Sequence, residues 1–254
     1  TTVKTMVVEA SALPDTLIAY AVPPTKLRLV ALLGQIKQWL SNQAAKLVIF
    51  TLCCDSVDYL HRLFTTHPEF KQLGLNFVRL HGSLEQAERI ASFKQFTQAK
   101  QPACLICTDV AARGLNLERV TGILQWDAPC DLVDFLHRTG RTGRLGDQEG
   151  GQSVLLLQPS EREYVNLLAE KGVRLKPLKF DPLIAWLRNV KLAAQGKAVE
   201  KAAKEEDEAE EVPASLRAHH AQWQQQLETF IKNDRILFDL AKLAYTSTLR
   251  AYAT

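Results

Sequence analysis

The sequence predicts an α/β fold in which a doubly wound parallel sheet carries helices on both faces and is followed by a small α-helical C-terminal extension. Short β-rich runs alternate with amphipathic helical segments, as in repeated strand–helix units. The runs at 46–50, 103–107 and 153–157 (KLVIF, ACLIC and SVLLL) are apolar without alternation, which is typical of strands covered on both faces. Repeated units of this kind give a parallel sheet whose strands are joined by right-handed crossovers.

Eight β-rich runs are candidate strands. They are residues 3–8, 16–22, 46–51, 76–80, 103–108, 121–126, 151–158 and 173–179. In a doubly wound sheet, ligands gather at the carboxyl ends of the strands. The loops that start near Thr51, His81, Thr108 and Asp127 should therefore line one edge.

Helices are predicted between these strands. Residues 25–40 follow Pro23-Pro24 and place five apolar side chains on one helical face: Leu29, Leu32, Leu33, Ile36 and Leu40. Four further helix starts carry start signals: Asp55 as a cap, Ser83 with Gln86, Ser160 with Glu163, and Asp181-Pro182.

Composition divides the chain into three parts: a doubly wound domain at 1–190, a charged linker at 191–213 and a helical extension at 214–254. The linker is rich in Ala, Lys and Glu without apolar periodicity, which indicates a solvated segment. The extension has two apolar stripes separated by KND. Because two such helices cannot form a core alone, we expect them to dock on the main domain or on a partner. The stripes are Trp223, Leu227, Phe230 and Ile231, then Ile236, Leu237, Leu240 and Leu243.

Bulk properties exclude several classes of protein. The 254 residues carry a net charge of +3 with 46% hydrophobic and 23% charged residues, which is compatible with a nucleic-acid partner without indicating one. No run of about 20 apolar residues is present, so we expect no membrane span. The five cysteines form no regular framework, and Cys104 and Cys107 should point to opposite faces of one strand. We therefore expect no metal site and no disulfide scaffold.

The segment HRTGRTGR at 137–144 combines three arginines with two glycines. One interpretation is a helix C-terminus, with Gly143 or Gly146 as the first residue beyond it and the arginines at the negative end of the dipole. That interpretation leaves Gly140 unexplained, as well as the choice of arginine over lysine. A guanidinium fork suits a phosphate group, which it can bind through two hydrogen bonds.

Four further segments occur together with HRTGRTGR in a consistent order. They are VIFTLCCDSVDYL (48–60), QAER (86–89), TDVAARGLN (108–116) and LQWDAP (124–129). The five together resemble motif IV, the QxxR element and motifs V, Va and VI of the second RecA-like domain of DEAD-box RNA helicases, over about residues 12–180. The resemblance implies a RecA-like fold and an ATP-dependent RNA helicase.

The resemblance also implies residue roles. Arg141 and Arg144 would be catalytic arginine fingers that reach the ATP γ-phosphate, a contribution worth about 10³–10⁵ in rate. Gly114, Asn116, Arg113 and His137 would contact ATP or the cleft between two lobes. Contacts with the RNA sugar-phosphate backbone, which carry no base readout, would come from Gly82, Gln86, Arg89 and Thr108.

Two positions depart from the family pattern. Position 116 is Asn where the family usually has Asp, which puts tight nucleotide contact there in doubt. Motif IV carries Cys53 where a hydroxyl residue is usual, which weakens an RNA contact inferred at that position.

Another departure is an absence. The sequence contains no GxxxxGK[ST] phosphate loop, and DEAE at 207–210 lies in a charge run with no strand before it. We therefore expect ATP and Mg²⁺ to be held mainly by another lobe of a longer protein, and we expect this chain alone to hydrolyse no ATP.

The end of the chain, LAYTSTLRAYAT (243–254), resembles an extension shared by several DEAD-box helicases that act in large-ribosomal-subunit assembly; a generic amphipathic helix is the alternative. The resemblance implies pre-ribosomal RNA and proteins as partners, a chain that is monomeric outside a larger particle, and a nuclear, nucleolar location, with the cytoplasm as the alternative.

Two other functions remain open. A DNA-acting helicase of the same superfamily is one, although relatives of the RecQ type generally begin motif VI with Gln rather than His. The second is a noncatalytic assembly factor that uses the lobe and tail as a scaffold.

Overall fold

The computed structural model describes residues 17–42, 46–112, 117, 120–142, 151–179 and 214–253. The strand predicted at 3–8, the helix start at Asp181-Pro182 and the linker at 191–213 lie outside these residues. The boundaries of the three parts therefore stay predictions.

Strands and helices alternate along the described residues. The strands are β1 (Leu17–Ala21), β2 (Lys46–Thr51), β3 (Asn76–Leu80), β4 (Ala103–Thr108), β5 (Gly122–Gln125), β6 (Gln152–Leu156) and β7 (Lys176–Pro177). The helices are α1 (Arg28–Ser41), α2 (Cys54–Thr66), α3 (Pro68–Lys71), α4 (Gln86–Thr97), α5 (Asp109–Ala112), α6 (Leu132–Thr139), α7 (Glu163–Glu170), α8 (Ala214–Asn233) and α9 (Arg235–Tyr252). Two 3₁₀ turns, Thr25–Leu27 and Pro159–Glu161, precede α1 and α7.

The strands form one parallel sheet in the order β3-β4-β2-β5-β6-β1-β7. Most neighbours in this order are distant in sequence, so helices cross between them, as a doubly wound sheet requires. The predicted RecA-like fold class and the helical C-terminal segment are confirmed.

Helices cover both faces of the sheet. On one face, Leu47, Ile49, Cys104 and Ile106 pack in a core with residues of α1, α2 and α8. On the other face, Val48, Phe50 and Cys107 pack toward α4. The two cysteines of the CxxC therefore lie in different cores, as their strand spacing predicts, and burial raises the pKa of both thiols far above its usual range.

Gly122 shows how tightly α1 packs on the sheet. A Cβ at this position would lie 2.8 Å from the ring of Trp39 and 2.9 Å from a methyl of Leu47. The Trp39 indole also donates a hydrogen bond to Gln152 on the neighbouring strand. A side chain at this position would clash with the indole, so glycine allows Trp39 to pack against β5 and reach that partner.

Three predicted helix caps are wrong. Helix α2 begins at Cys54, so Asp55 lies inside its first turn, where its carboxylate accepts a hydrogen bond from Ser247. Helix α4 follows Glu85 and has no side-chain cap, so Ser83 and Gln86 form no capping box. The capping box before α7 is Gln158 with Glu161 rather than Ser160 with Glu163. In each case the helix or turn begins one or two residues away from the start that spacing alone indicated.

The extension docks on the main domain. Trp223, Leu227 and Leu237 are buried in the same core as α1 and α2, and Phe230 and Ile231 pack against it. The second predicted stripe is partly wrong, because Ile236 is 60% and Leu243 53% exposed. The small Ala244 is buried instead, and α9 packs along α2. Among the described helices, none combines the length and apolarity of a bilayer span.

Candidate functional site

The carboxyl ends of β3, β4, β2 and β5 lie side by side. Thr51 is paired with Thr108, Leu80 with Cys107, and Phe50 with Gln125. The loops that follow these strands therefore meet at one edge of the sheet, as the strand order of a doubly wound fold requires. The segments that resemble motifs IV, V and Va, at the ends of β2, β4 and β5, contribute to this edge.

Arg138 is an almost fully enclosed charged side chain at this edge, with 1% of its surface exposed. Its Nε and Nη2 donate to the two carboxylate oxygens of Asp109, both at 2.6 Å. Its Nη1 donates to the backbone carbonyl of Asp127 at 2.6 Å, and the guanidinium lies over the ring of Phe50. A two-pronged, desolvated ion pair of this kind fixes its partners' relative positions. Arg138 thus joins α6 to the segments that follow β4 and β5.

Helix α6 ends at Thr139, and Gly140 allows the turn that follows. The Gly140 N–H donates to the Leu136 carbonyl at 2.8 Å, and a Cβ on Gly140 would lie 3.1 Å from the same oxygen. After the turn, the Thr142 hydroxyl donates to the Val120 carbonyl. Gly140 is therefore the residue that ends the helix, and Gly143 and Gly146 lie outside the described residues.

A small cleft beside α6 brings together two of the predicted nucleotide-contacting residues. His137 and Arg141 line it together with Asp109, Ala112, Asp134 and Arg138. The His137 side chain is 58% exposed, and Arg141 is half-buried. Arg138 and Arg141 are three residues apart and both line the cleft, yet Arg138 is enclosed whereas Arg141 is half-buried. The remaining predicted residues of this group, Arg144, Arg113, Gly114 and Asn116, lie outside the described residues.

Asp127 forms a second buried attachment at the edge. Its carboxylate accepts from the Leu52 N–H at 3.1 Å and lies 3.6 Å from the guanidinium of Arg28. Arg28 also donates to the Trp126 carbonyl and covers the Trp126 ring. Burial raises the pKa of Asp127 in spite of the nearby Arg28. The loops after β2 and β5 are thereby linked to the start of α1.

The four predicted RNA-contacting residues lie around the ends of β3 and β4. Thr108 is the last residue of β4 and is buried, whereas Gly82 and Gln86 are exposed. Arg89 is half-buried and donates to the side-chain oxygen of Gln86 at 3.3 Å. The structure brings Gln86 and Arg89 together on the first turn of α4, next to the loop that contains Gly82.

A network of charged side chains connects the elements on either side of that loop. Arg79 donates to Asp58 and, at 2.8 Å, to Glu88, while the buried His81 lies 3.2 Å from Asp58. Burial opposes ionisation of Asp58, but hydrogen bonds from His81 and Arg79 outweigh it and lower the Asp58 pKa. This network ties α2, β3 and α4 together where the loop leaves the sheet.

Sequence reasoning missed the supporting residues of the site. Arg138 was visible only as one of three evenly spaced arginines, and Asp109 only as a letter within TDVAARGLN. Their bidentate pairing joins residues 29 positions apart, which no local spacing reveals. Within the described residues, no cluster of three His, Cys, Asp or Glu side chains could hold a metal ion.

Comparison with known families and proteins identifies the family and the fold of this domain. Residues 28–146 match the family described as "Helicase conserved C-terminal domain". The fission yeast ATP-dependent RNA helicase dbp7 is 33% identical over 262 residues, which cover 92% of this chain and 34% of dbp7. The chain carries the C-terminal RecA-like domain of a DEAD-box helicase. It spans about a third or less of the length of such relatives.

Other similar proteins cover the same region. Human ATP-dependent DNA helicase DDX31 is 39% identical over 193 residues, covering 70% of this chain and 22% of DDX31. Mss116p bound to single-stranded RNA and AMP-PNP superposes with a TM-score of 0.56 at 26% identity, over 66% of this chain and 33% of Mss116p. The E. coli DEAD-box protein SrmB has the same fold, with a TM-score of 0.55 at 23% identity, over 66% of this chain and 93% of the SrmB chain.

Proposed function

We propose that this DEAD-box domain is the C-terminal lobe of an ATP-dependent RNA helicase, with ATP bound between it and a second lobe and RNA bound along the edge at β3 and β4. The observation that carries the proposal is the Arg138–Asp109 pair. Asp109 directly follows Thr108, and Arg138 lies three residues before Arg141. One rigid ion pair therefore connects the proposed RNA contact to the proposed nucleotide contact.

The nucleotide side is proposed to be the cleft beside α6. His137 and Arg141 present two nitrogen-bearing side chains to it, and a guanidinium is suited to a phosphate at fixed charge. Arg144 would be the second finger, with Arg113, Gly114 and Asn116 completing the contacts to ATP and the opposing lobe. Mg²⁺ would be held mainly by that lobe and would neutralise phosphate charge.

The RNA side is proposed to be Gly82, Gln86, Arg89 and Thr108. These residues offer an exposed glycine turn, an amide, a guanidinium and a hydroxyl, all of which can contact a sugar-phosphate backbone. Contacts of this kind do not distinguish one base from another. The bond between Arg89 and Gln86 holds the two side chains as one unit. This arrangement supports remodelling of RNA without strong sequence preference.

Substitution of Arg141 tests the proposed role of the cleft. In the longer protein that contains this lobe, Arg141→Ala should lower RNA-stimulated ATP turnover about a thousandfold without changing the melting temperature. Arg162→Ala removes an exposed arginine at the start of α7 and should change turnover less than twofold. Normal turnover in Arg141→Ala, with RNA or particle binding retained, would favour a noncatalytic scaffold instead.

A DNA substrate is the second candidate, because the human relative is named a DNA helicase. ATP turnover should be measured with single-stranded RNA and DNA of the same sequence and length. We expect RNA to stimulate turnover at least tenfold more strongly than DNA. Equal or greater stimulation by DNA would transfer the proposal to DNA. The 254-residue chain alone should hydrolyse no ATP with either nucleic acid, because its sequence has no phosphate loop.

We propose further that the protein acts in assembly of the large ribosomal subunit, in the nucleolus. The resemblance of residues 243–254 to the extension of assembly helicases supports this proposal. Tagged protein should sediment with large-subunit precursors, and removal of residues 214–254 should release it to the top of the gradient. A tagged protein that sediments only as a free monomer would contradict the proposal.

A further inference from the structure

We infer that Thr248, in the C-terminal extension, is a positioning residue for the loop between β2 and α2, and that it thereby sets the affinity of the edge for RNA. The inference rests on the proposed function for its RNA readout. Its structural basis is a group of side chains that belong to segments more than 190 residues apart.

The Thr248 hydroxyl lies at the junction of the two segments. Its Oγ1 is 3.1 Å from the Oγ of Ser56 and 3.6 Å from the Sγ of Cys53. The Cys53 thiol is in turn 3.0 Å from Ser56. The neighbouring Ser247 donates to Asp55. Consecutive residues of α9 therefore bind three of the four residues at 53–56.

The loop has few other attachments. Cys53 precedes α2 without capping it through its side chain, and a thiol is a weak hydrogen-bond donor. The Thr51 hydroxyl reaches the Cys53 carbonyl at 3.1 Å, and the Leu52 N–H reaches Asp127. These bonds hold the start of the loop. The hydroxyls of Ser56 and Thr248 hold the first turn of α2, which directly follows the loop.

The helix that supplies Thr248 is itself firmly placed. Leu237 and Ala244 are buried, Asp234 caps the helix and pairs with Arg62 at 3.1 Å, and the Tyr252 hydroxyl donates to Glu161 after β6. With its beginning, middle and end attached, α9 can impose a position on the loop rather than follow it.

The loop lies beside the proposed RNA contact. Thr51 is paired in register with Thr108, so the loop at Leu52 and Cys53 and the first turn of α2 leave the sheet next to the segment that begins with Asp109. A displacement of this loop would change the shape of the edge beside Thr108. The cleft of Arg141 is held separately by the bidentate pair of Arg138 and Asp109, which does not include the loop. Loss of the Thr248 hydroxyl should therefore affect RNA binding and not the chemical step.

The test uses Thr248→Val, which removes the hydroxyl and keeps the shape, in the longer protein. The RNA concentration that half-stimulates ATP turnover should rise about fivefold to tenfold, as loss of one well-made hydrogen bond predicts, with an unchanged maximal rate. Thr248→Ser should restore the original value. Thr246→Val makes the same change at an exposed position of α9 and should have less than a twofold effect.

A second readout needs no RNA. The alkylation rate of Cys53 reports the loop position directly, and it should change at least threefold in Thr248→Val and not in Thr246→Val. Unchanged half-stimulation in Thr248→Val, or a loss confined to the maximal rate, would overturn the inference. If RNA fails to stimulate the unsubstituted protein, the proposed function fails, and the Cys53 rates still test the positioning. If Thr248→Val does not fold, Ser247→Ala takes its place in both measurements.

Discussion

The two faces of the sheet hold the carboxyl edge by different means. On the face of α6, the edge is held by the enclosed guanidinium of Arg138, which donates two hydrogen bonds to Asp109 and one to the Asp127 carbonyl. On the face of α1 and α2, the single-contact Arg28–Asp127 pair is supplemented by the extension, through apolar burial of Leu237 and hydroxyl contacts at Thr248.

The difference has a physical consequence. Removal of one member of a buried ion pair leaves the other charge uncompensated, and this lowers the stability of the whole domain. Apolar and hydroxyl contacts contribute in smaller, separable portions. Loss of the ion pair on the α6 face should therefore destabilise the whole lobe. The extension, in contrast, should detach in steps while the lobe stays folded.

The largest effect is expected at Arg138. Arg138→Met keeps an unbranched side chain but leaves Asp109 without its partner, so the free energy of unfolding should fall by about 3–5 kcal/mol. Chemical denaturation measures it, with the exposed Arg162→Met as the matched control, expected within about 0.5 kcal/mol of the unsubstituted protein. Adding Asp109→Asn to Arg138→Met removes the uncompensated carboxylate and should recover part of the loss. A loss below about 1 kcal/mol in Arg138→Met would remove the distinction between the two faces.

A smaller effect is expected at Leu237. Leu237→Ala should lower the free energy of unfolding by about 2–4 kcal/mol through lost burial and a residual cavity. Hydrogen exchange should accelerate in α8 and α9 and not in the sheet. Leu243→Ala, at an exposed position of the same helix, should cost about 0.5 kcal/mol or less. Equal losses in the two variants, or exchange that accelerates uniformly through the sheet, would show that the extension is not a separable unit.

The smallest effect is a pH dependence at the joint between α3 and the extension. His67 is buried against Trp223 and Phe230, and this burial lowers its pKa below the ordinary value of 6.5 despite the opposing charge of Glu69. Below pH 6.5 the unfolded chain binds a proton that the folded protein does not. Stability should therefore fall as pH drops from about 6.5 to the lowered pKa, by at most about 1.4 kcal/mol per pH unit.

The matched control for this dependence is His67→Asn. The imidazole Nδ1 accepts from the Glu69 N–H at 3.3 Å, and Asn can also accept at a helix start but does not titrate. Denaturation at several pH values should show a shallower dependence in His67→Asn. The comparison is made between variants because burial also lowers the pKa of His61, which adds a dependence of the same sign. Identical slopes would contradict the assignment to His67.

Much of the fold could be predicted because its signals are local. The runs at 46–50 and 103–107 are apolar without alternation, which indicates a strand buried on both faces wherever it lies. The opposite directions of Cys104 and Cys107 follow from the two-residue period of a strand. The helix starts were harder to predict, because they depend on boundaries that are one or two residues wide. The stripe in α9 was harder to predict because it depends on which face of that helix contacts α2.

The sequence by itself determined the alternation of strands and helices and the motifs of a helicase lobe, and it predicts that ligands bind at the carboxyl edge of the sheet. Only the tertiary structure decided that Arg138 is enclosed whereas Arg141 stays partly exposed, and that the extension's Thr248 contacts Ser56. Period and spacing act over a few residues. A partner 29 or 192 positions away is chosen by the packing of whole elements.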